Sequence, residues 1–136
     1  MLALLYLGYR TVGWVLARWG QRWGINALDD WASLPVLLLL LSVFSFLSDP
    51  MTNAYSRFTE HQADVYGVEV THGILPDAAQ AAADSFQVEG ESSLSDPDPN
   101  RLNVFLFYDH PPISDRVRFL LNYDPWSKGR QPEFVK

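Results

Sequence analysis

The sequence contains no cysteine among its 136 residues. This absence excludes a disulfide framework, a cysteine-ligated zinc site and a cysteine nucleophile. Basic residues are also few, ten against sixteen acidic ones, so the net charge is −6 and the isoelectric point is near 4.8. Such an acidic chain lacks the basic surface that binds nucleic acid, and no nucleic-acid partner is expected.

Charge is distributed unevenly along the chain. Residues 1–50 carry three basic and three acidic side chains, whereas residues 51–136 carry seven and thirteen, which places the whole net charge in the second part. Residues 31–48 contain no charged side chain at all. As a helix, this stretch would cover roughly 27 Å, close to the thickness of a bilayer core. The alternative, a buried helix of a soluble core, normally shows a polar stripe, and only serines interrupt this one.

Residues 1–50 are expected to form a transmembrane helical hairpin, with spans at about 1–19 and 31–48. Four of the five tryptophans lie between the middle of the first span and the start of the second. Such clustering is typical of a membrane interface. A signal peptide is disfavoured because no basic segment precedes the first apolar run. The second span is expected to end at Asp49 and Pro50, since proline disrupts a helix interior.

The second part of the chain, residues 51–136, is predicted to consist of amphipathic helices, which makes the whole chain all-α. Apolar residues recur there at helical spacing, and glycine or proline marks the boundaries. A stretch rich in serine, aspartate and proline predicts an exposed loop at about 90–100. The expected helices lie at 52–72, 78–88 and 113–121, and residues 102–108 are predicted to be a helix end or a short buried segment.

Glu60 and Asp64 are four residues apart, so both carboxylates lie on one face of the predicted helix. Like charges at this spacing repel each other unless a positive group lies between them. A metal ion or a metal-bound histidine would serve, with one carboxylate ligating zinc and the other orienting a ligating histidine. The alternative is a solvated acidic face. His61 and His72 are expected to be structural or solvent-exposed.

A second polar cluster occupies residues 110–116, where two prolines precede a predicted helix. His110 and Arg116 presented together can bind a carboxylate or stabilise a developing oxyanion. The alternative is a helix-capping segment in which Arg116 pairs at the surface with Asp109 or Asp115.

Together, the two clusters resemble the C-terminal half of a family M48 zinc metallopeptidase, closest to the multi-spanning CAAX prenyl endopeptidase branch, the Ste24-like enzymes. Residues 53–67 match the family pattern Asn-x-x-Ser-Arg-x-x-Glu-x-x-Ala-Asp-x-x-Gly. Residues 110–117 match the pattern His-Pro-x-x-x-(Glu/Asp)-Arg-(Ile/Leu/Val). The apolar hairpin ahead of the first pattern is where this family has two spans, so the resemblance covers essentially the whole chain.

This resemblance implies a role for each matched residue. Glu60 would be the third zinc ligand, and Asp64 would orient a ligating histidine. Arg57 would support the helix that carries them. His110 and Arg116 would line the cleft and bind the substrate or the tetrahedral intermediate. The implied catalytic residues of this chain are therefore His110, Arg116 and Asp64, with Glu60 as its metal ligand.

The chain departs from the family in lacking the His-Glu-x-x-His motif, which supplies two zinc ligands and the general-base glutamate. In the family this motif precedes the hairpin, so the two histidine ligands are expected upstream of Met1. The chain is interpreted as a fragment, the C-terminal portion of the parent enzyme. It is predicted to be inactive alone, because one carboxylate cannot hold a catalytic zinc ion.

The fold class expected from all these features is an incomplete part of a multi-spanning, zincin-type membrane protease. Its function would be zinc-dependent hydrolysis of peptide bonds, in CAAX-type or other membrane peptides. The expected partners are the lipid bilayer and a peptide or protein substrate, at the bacterial inner membrane, with no oligomeric state indicated. Two alternatives remain: a non-enzymatic membrane partner or regulator, and a soluble interaction domain with a buried helical hairpin.

Overall fold

The structure, a computed structural model, describes residues 2–135 and is all-helical there, with no strand in that range. The expectation of an all-helical chain is therefore confirmed. Two short 3-10 helices, Gly20–Trp23 and Trp31–Ser33, lie between the first two α-helices. The α-helices are α1 (Leu2–Trp19), α2 (Leu34–Thr71), α3 (Ala78–Ser92), α4 (Arg101–Phe107) and α5 (Ile113–Asn122).

The chain divides into two compact units, residues 1–48 and 49–136. In the first unit, a turn after α1 is built on glycine. The backbone N–H of Ile25 donates to the carbonyl of Gly20 at 2.8 Å, and a Cβ atom on Gly20 would lie 3.0 Å from the Ile25 carbonyl oxygen. Gly24 has a φ of +70°, which favours glycine. Both glycines are therefore required by the turn that follows α1.

The apolar part of α2 exposes most of its large side chains, including Leu38, Leu39 and Phe46. Two of its serines donate their hydroxyl groups to carbonyl groups of the same helix, Ser42 to Leu38 at 2.9 Å and Ser48 to Ser45 at 3.0 Å. Among residues 2–135, Trp31–Thr71 is the one helical stretch long and apolar enough to cross a membrane. A membrane crossing by residues 1–19 stays a prediction.

The helix does not break at Asp49 and Pro50, because α2 continues through Pro50 to Thr71, whereas the end of the membrane span at these residues stays a prediction. A proline in a helix interior costs about 3 kcal/mol, since it removes one hydrogen bond and crowds the preceding turn. Long helix-forming stretches on both sides outweigh that cost here. The apolar segment and the carboxylates Glu60 and Asp64 consequently belong to one unbroken helix.

The core of the second unit lies where α3 packs against α5 and the end of α2. Val68, Ala83 and Leu120 are buried together, one from each of these helices. Partly buried side chains surround them: Ala79, Ala82, Phe86, Val117, Phe119, Tyr123 and Trp126. α3 extends to Ser92, so the irregular stretch before α4 covers residues 93–100. This core positions α5 opposite the polar face of α2.

The C-terminal segment is held by a buried carboxylate, that of Glu69, which is only 2% exposed. It accepts hydrogen bonds from the Tyr123 hydroxyl and from the backbone N–H groups of Glu133, Phe134 and Val135, the last three at 2.6, 2.7 and 3.0 Å. Burial alone raises the pKa of Glu69, but these hydrogen bonds outweigh it and lower the pKa to about 2. Burial and the neighbouring carboxylate raise the pKa of Tyr123 to about 12. The acceptor therefore stays ionised and its donor stays protonated at neutral pH.

Candidate functional site

The polar site of the second unit is built around the two carboxylates on α2. Glu60 and Asp64 are one helical turn apart, and their side chains are 25% and 7% exposed. A buried carboxylate needs a positive partner or several hydrogen-bond donors, because burial removes its hydration. The identity of that partner decides what this face of α2 can do.

Arg116, near the start of α5, is the partner of both carboxylates. Its Nε and Nη2 atoms donate to the two oxygens of Asp64 at 2.9 and 2.6 Å, and its Nη1 donates to Glu60 Oε2 at 3.2 Å. The bidentate arrangement on Asp64 fixes the guanidinium plane as well as its position. The two acidic residues expected as surface partners of Arg116 contact other groups: Asp115 pairs with Arg101 at 2.7 Å, and Asp109 lies 3.6 Å from His110 Nε2.

Phe86 supports the guanidinium group from α3. The Arg116 Cζ atom lies 3.8 Å from the centre of the Phe86 ring, which is a cation–π contact. Only 17% of the Arg116 side chain is exposed as a result of these contacts. Sequence reasoning missed Phe86, which stands in an alanine-rich helix and belongs to no recognisable motif.

His110 completes the cluster from the segment between α4 and α5. Its Nδ1 atom contacts Glu60 Oε1, and its Nε2 atom lies 3.6 Å from Asp109 Oδ2. The imidazole remains 67% exposed. The structure thus brings together all four candidate residues of the sequence, and it places an arginine where the sequence argument allowed a metal ion.

A cavity of about 440 Å³ opens beside this cluster. Its lining includes Glu60, Tyr108, His110 and Arg116, together with Glu89 of α3. A cavity of this size is within the range of ligand-binding pockets, roughly 300–1,000 Å³. The carboxylate, imidazole and guanidinium groups therefore face a space in which a substrate can lie.

Residues 2–135 by themselves do not supply the ligands of a complete zinc site. Within residues 2–135, no group of three or more histidine, cysteine, aspartate or glutamate side chains is arranged to hold a metal ion. His61 lies against the Phe119 ring, and His72 is stacked on Trp126 with ring centres 3.5 Å apart, so neither belongs to the cluster. Since catalytic zinc needs three protein ligands, the described residues do not form such a site by themselves, and Glu60 as a zinc ligand stays a prediction.

The sequence comparison decides the family. The model of peptidase family M48 matches residues 1–124. The chain belongs to peptidase family M48. This M48 chain is also 42% identical, over 94 residues, to the uncharacterized metalloprotease YhfN of Bacillus subtilis (strain 168).

That alignment covers 69% of the M48 chain and 21% of the Bacillus protein, so the chain spans about a fifth of the length of this relative. No solved structure matches the chain. Zinc is the metal that peptidase family M48 implies. The recognition of family M48 from the two sequence patterns is thereby confirmed.

Proposed function

We propose that this chain supplies one zinc ligand and the substrate-binding side chains of a membrane-embedded zinc metalloendopeptidase of the Ste24-like branch. The observation that carries the proposal is the convergence of Glu60, His110 and Arg116, from three segments of the chain, on one cavity. In this proposal the chain is the C-terminal part of the peptidase. The two histidine ligands and the general-base glutamate come from a His-Glu-x-x-His segment outside it.

Each residue of the cluster then has a distinct role. Glu60 provides a carboxylate oxygen as the third ligand of zinc, which would polarise a water molecule and the substrate carbonyl. Arg116 offsets one of the two carboxylate charges, and its N–H groups near the cavity can donate to a developing oxyanion. Asp64 fixes Arg116, and its remaining lone pairs can orient a ligating histidine. His110 lies at the rim, where its exposed nitrogen can donate to the substrate.

A chimera tests the function. The segment of the Bacillus relative that matches this chain is replaced by this chain, and zinc content and peptide hydrolysis are measured. We expect the chimera to bind one zinc ion and to hydrolyse peptides, because the inserted chain supplies Glu60 as the third zinc ligand. Substitution of a residue that only supports a metal ligand typically lowers metal affinity by about 10- to 100-fold. The Glu60→Gln variant, which changes a ligand itself, should lose at least that much zinc affinity.

Glu91→Gln is the matched control, because it changes an exposed carboxylate of α3 outside the cluster. This variant should retain the zinc affinity of the parent chimera. Equal zinc affinity in the Glu60→Gln and Glu91→Gln chimeras would contradict the proposal. The chain by itself should show no hydrolysis, since it contributes a single ligand.

We further propose that residues 31–48 cross the bacterial inner membrane and that the substrates are membrane-associated peptides, of CAAX type or another. Expressed in bacteria, the full chain should remain in the membrane pellet after alkaline carbonate extraction. The double variant Leu38→Arg, Leu39→Arg should move to the supernatant, because each arginine at the centre of a span costs roughly 2.5–3.5 kcal/mol. Recovery of the unmodified chain in the supernatant without detergent would contradict the membrane assignment.

A further inference from the structure

We propose that Arg57, aided by Asn53, is a positioning residue that holds the end of α4 so that His110 stays against Glu60. The catalytic value of this arrangement rests on the proposed function, whereas the arrangement itself involves only this chain. Nothing in the chemistry assigned above uses Arg57 or Asn53. Their hydrogen bonds nevertheless join α2 to α4, the helix that comes just before the segment carrying His110.

The first observation is the spacing of polar residues on α2. Asn53, Arg57, Glu60 and Asp64 follow one another at intervals of four, three and four residues. Side chains at these intervals lie on one face of an α-helix. One stripe of α2 therefore carries two groups with N–H donors, followed by the two carboxylates of the site.

The donors of this stripe are directed at carbonyl groups of α4. Asn53 Nδ2 donates to the carbonyl of Leu106 at 3.1 Å. Arg57 Nη1 donates to the carbonyl of Val104 at 3.0 Å and also to that of Tyr108. The carbonyl of Val104 also accepts the backbone N–H of Tyr108 at 3.3 Å, whereas those of Leu106 and Tyr108 belong to the helix end, where carbonyl groups lack a partner within the helix and a cation is favoured. Arg57 thus provides N–H donors to carbonyl groups near the end of another helix, α4.

The end of α4 determines where His110 lies. Tyr108 is two residues before His110, and two prolines follow, which restrict the backbone on the other side. The exposed imidazole has little packing of its own, so its position depends on these backbone anchors. Without the Arg57 hydrogen bonds, the Tyr108 end of the segment is released, and His110 moves away from Glu60.

Histidine-selective NMR of the full chain in detergent micelles, without zinc, tests this inference. The chain has only three histidines, and they occupy three different places: His110 at Glu60, His61 against Phe119 and His72 on Trp126. The ring signals of His61 and His72 therefore report on the fold, and that of His110 reports on the site. The measured quantity is the cross-relaxation between the His110 ring and the Glu60 side chain.

In Arg57→Met, which keeps the length but removes the donors, we expect this cross-relaxation to be lost while the His61 and His72 signals keep their positions. Arg57→Lys, which keeps a cation able to reach one carbonyl, should restore part of it. Arg101→Met is the matched control, because Arg101 ties the first residue of α4 to Asp115. This control should retain the full His110 contact.

An unchanged His110 contact in both Arg57 variants would overturn the inference, as would a loss of equal size in Arg101→Met. Movement of all three histidine signals in both Arg57 variants would show a general role in folding, and it too would overturn the inference. Because no zinc or peptide is present, failure of the chimera to hydrolyse peptides leaves this result unaffected. The two proposals are therefore tested separately.

Discussion

Replacement of Arg116 by methionine is expected to lower the free energy of unfolding of the second unit by roughly 3–5 kcal/mol. The variant leaves the carboxylate of Asp64, only 7% exposed, without its bidentate partner, and removing one member of a buried ion pair typically costs this much. It also removes the charge that separates Asp64 from Glu60. Urea unfolding of the full chain in detergent micelles, followed by the indole N–H signal of Trp126, measures the loss.

Two variants control for this result. Arg118→Met changes an exposed arginine two residues further along the same helix, which pairs with Asp115 rather than with Asp64. It should alter the free energy of unfolding by less than about 0.5 kcal/mol. The double variant Asp64→Leu, Arg116→Met removes both charges of the buried pair and should recover most of the stability, because apolar replacements of a buried pair are often neutral. A double variant as unstable as the single one would refute the unpaired-charge explanation.

Replacement of Glu69 by glutamine is expected to cost roughly 2–4 kcal/mol, since hydrogen bonds to an ionised acceptor contribute about 1.5–3 kcal/mol each and those to a neutral one less. Glutamine also presents an NH₂ group to backbone donors that need an acceptor. Glu133→Gln is the control, because the structure uses only the backbone N–H of this exposed residue in the contact with Glu69. The same urea measurement applies, and equal effects of the two substitutions would contradict the assignment.

The pH dependence provides an independent measurement of the same contact. The folded-state pKa of Glu69 is lowered from 4.5 to about 2, so its stabilising contribution is fully present above pH 4.5 and is lost as the pH falls towards 2. The difference in unfolding free energy between the wild type and Glu69→Gln should therefore shrink across this window. A constant difference would indicate that the charge of Glu69 is not what stabilises the C-terminal segment.

Local sequence patterns predicted much of the fold, and the exceptions have physical reasons. Helical periodicity in the second part and the apolar run at 31–48 both correspond to helices in the structure. Pro50 was misleading because a local rule ends a helix at proline, whereas the stability of α2 depends on the long stretches on either side. Nothing local in the sequence indicates that Glu69 meets residues 133–135, which are more than sixty positions away.

The candidate site shows the same division between local and long-range information. The spacing of Glu60 and Asp64 placed two carboxylates on one helix face, and it required a positive neighbour without identifying one. That neighbour, Arg116, comes from 52 positions beyond Asp64, and Phe86 comes from a third helix. Their arrangement depends on how α3 and α5 pack, which periodicity alone does not describe.

The stripe on α2 also limits which insertions and deletions this chain tolerates. Each residue of an α-helix turns the next by about 100°, so deleting one residue between Arg57 and Glu60 rotates the two carboxylates away from the two donor groups. The hydrogen bonds from Asn53 and Arg57 to α4 could not then form together with the contacts between the two carboxylates and Arg116. A seven-residue insertion, close to two full turns, would preserve the direction but shift the carboxylates by about 10 Å along the helix. Length between these residues is therefore constrained even where the identity of the intervening side chains is free to vary.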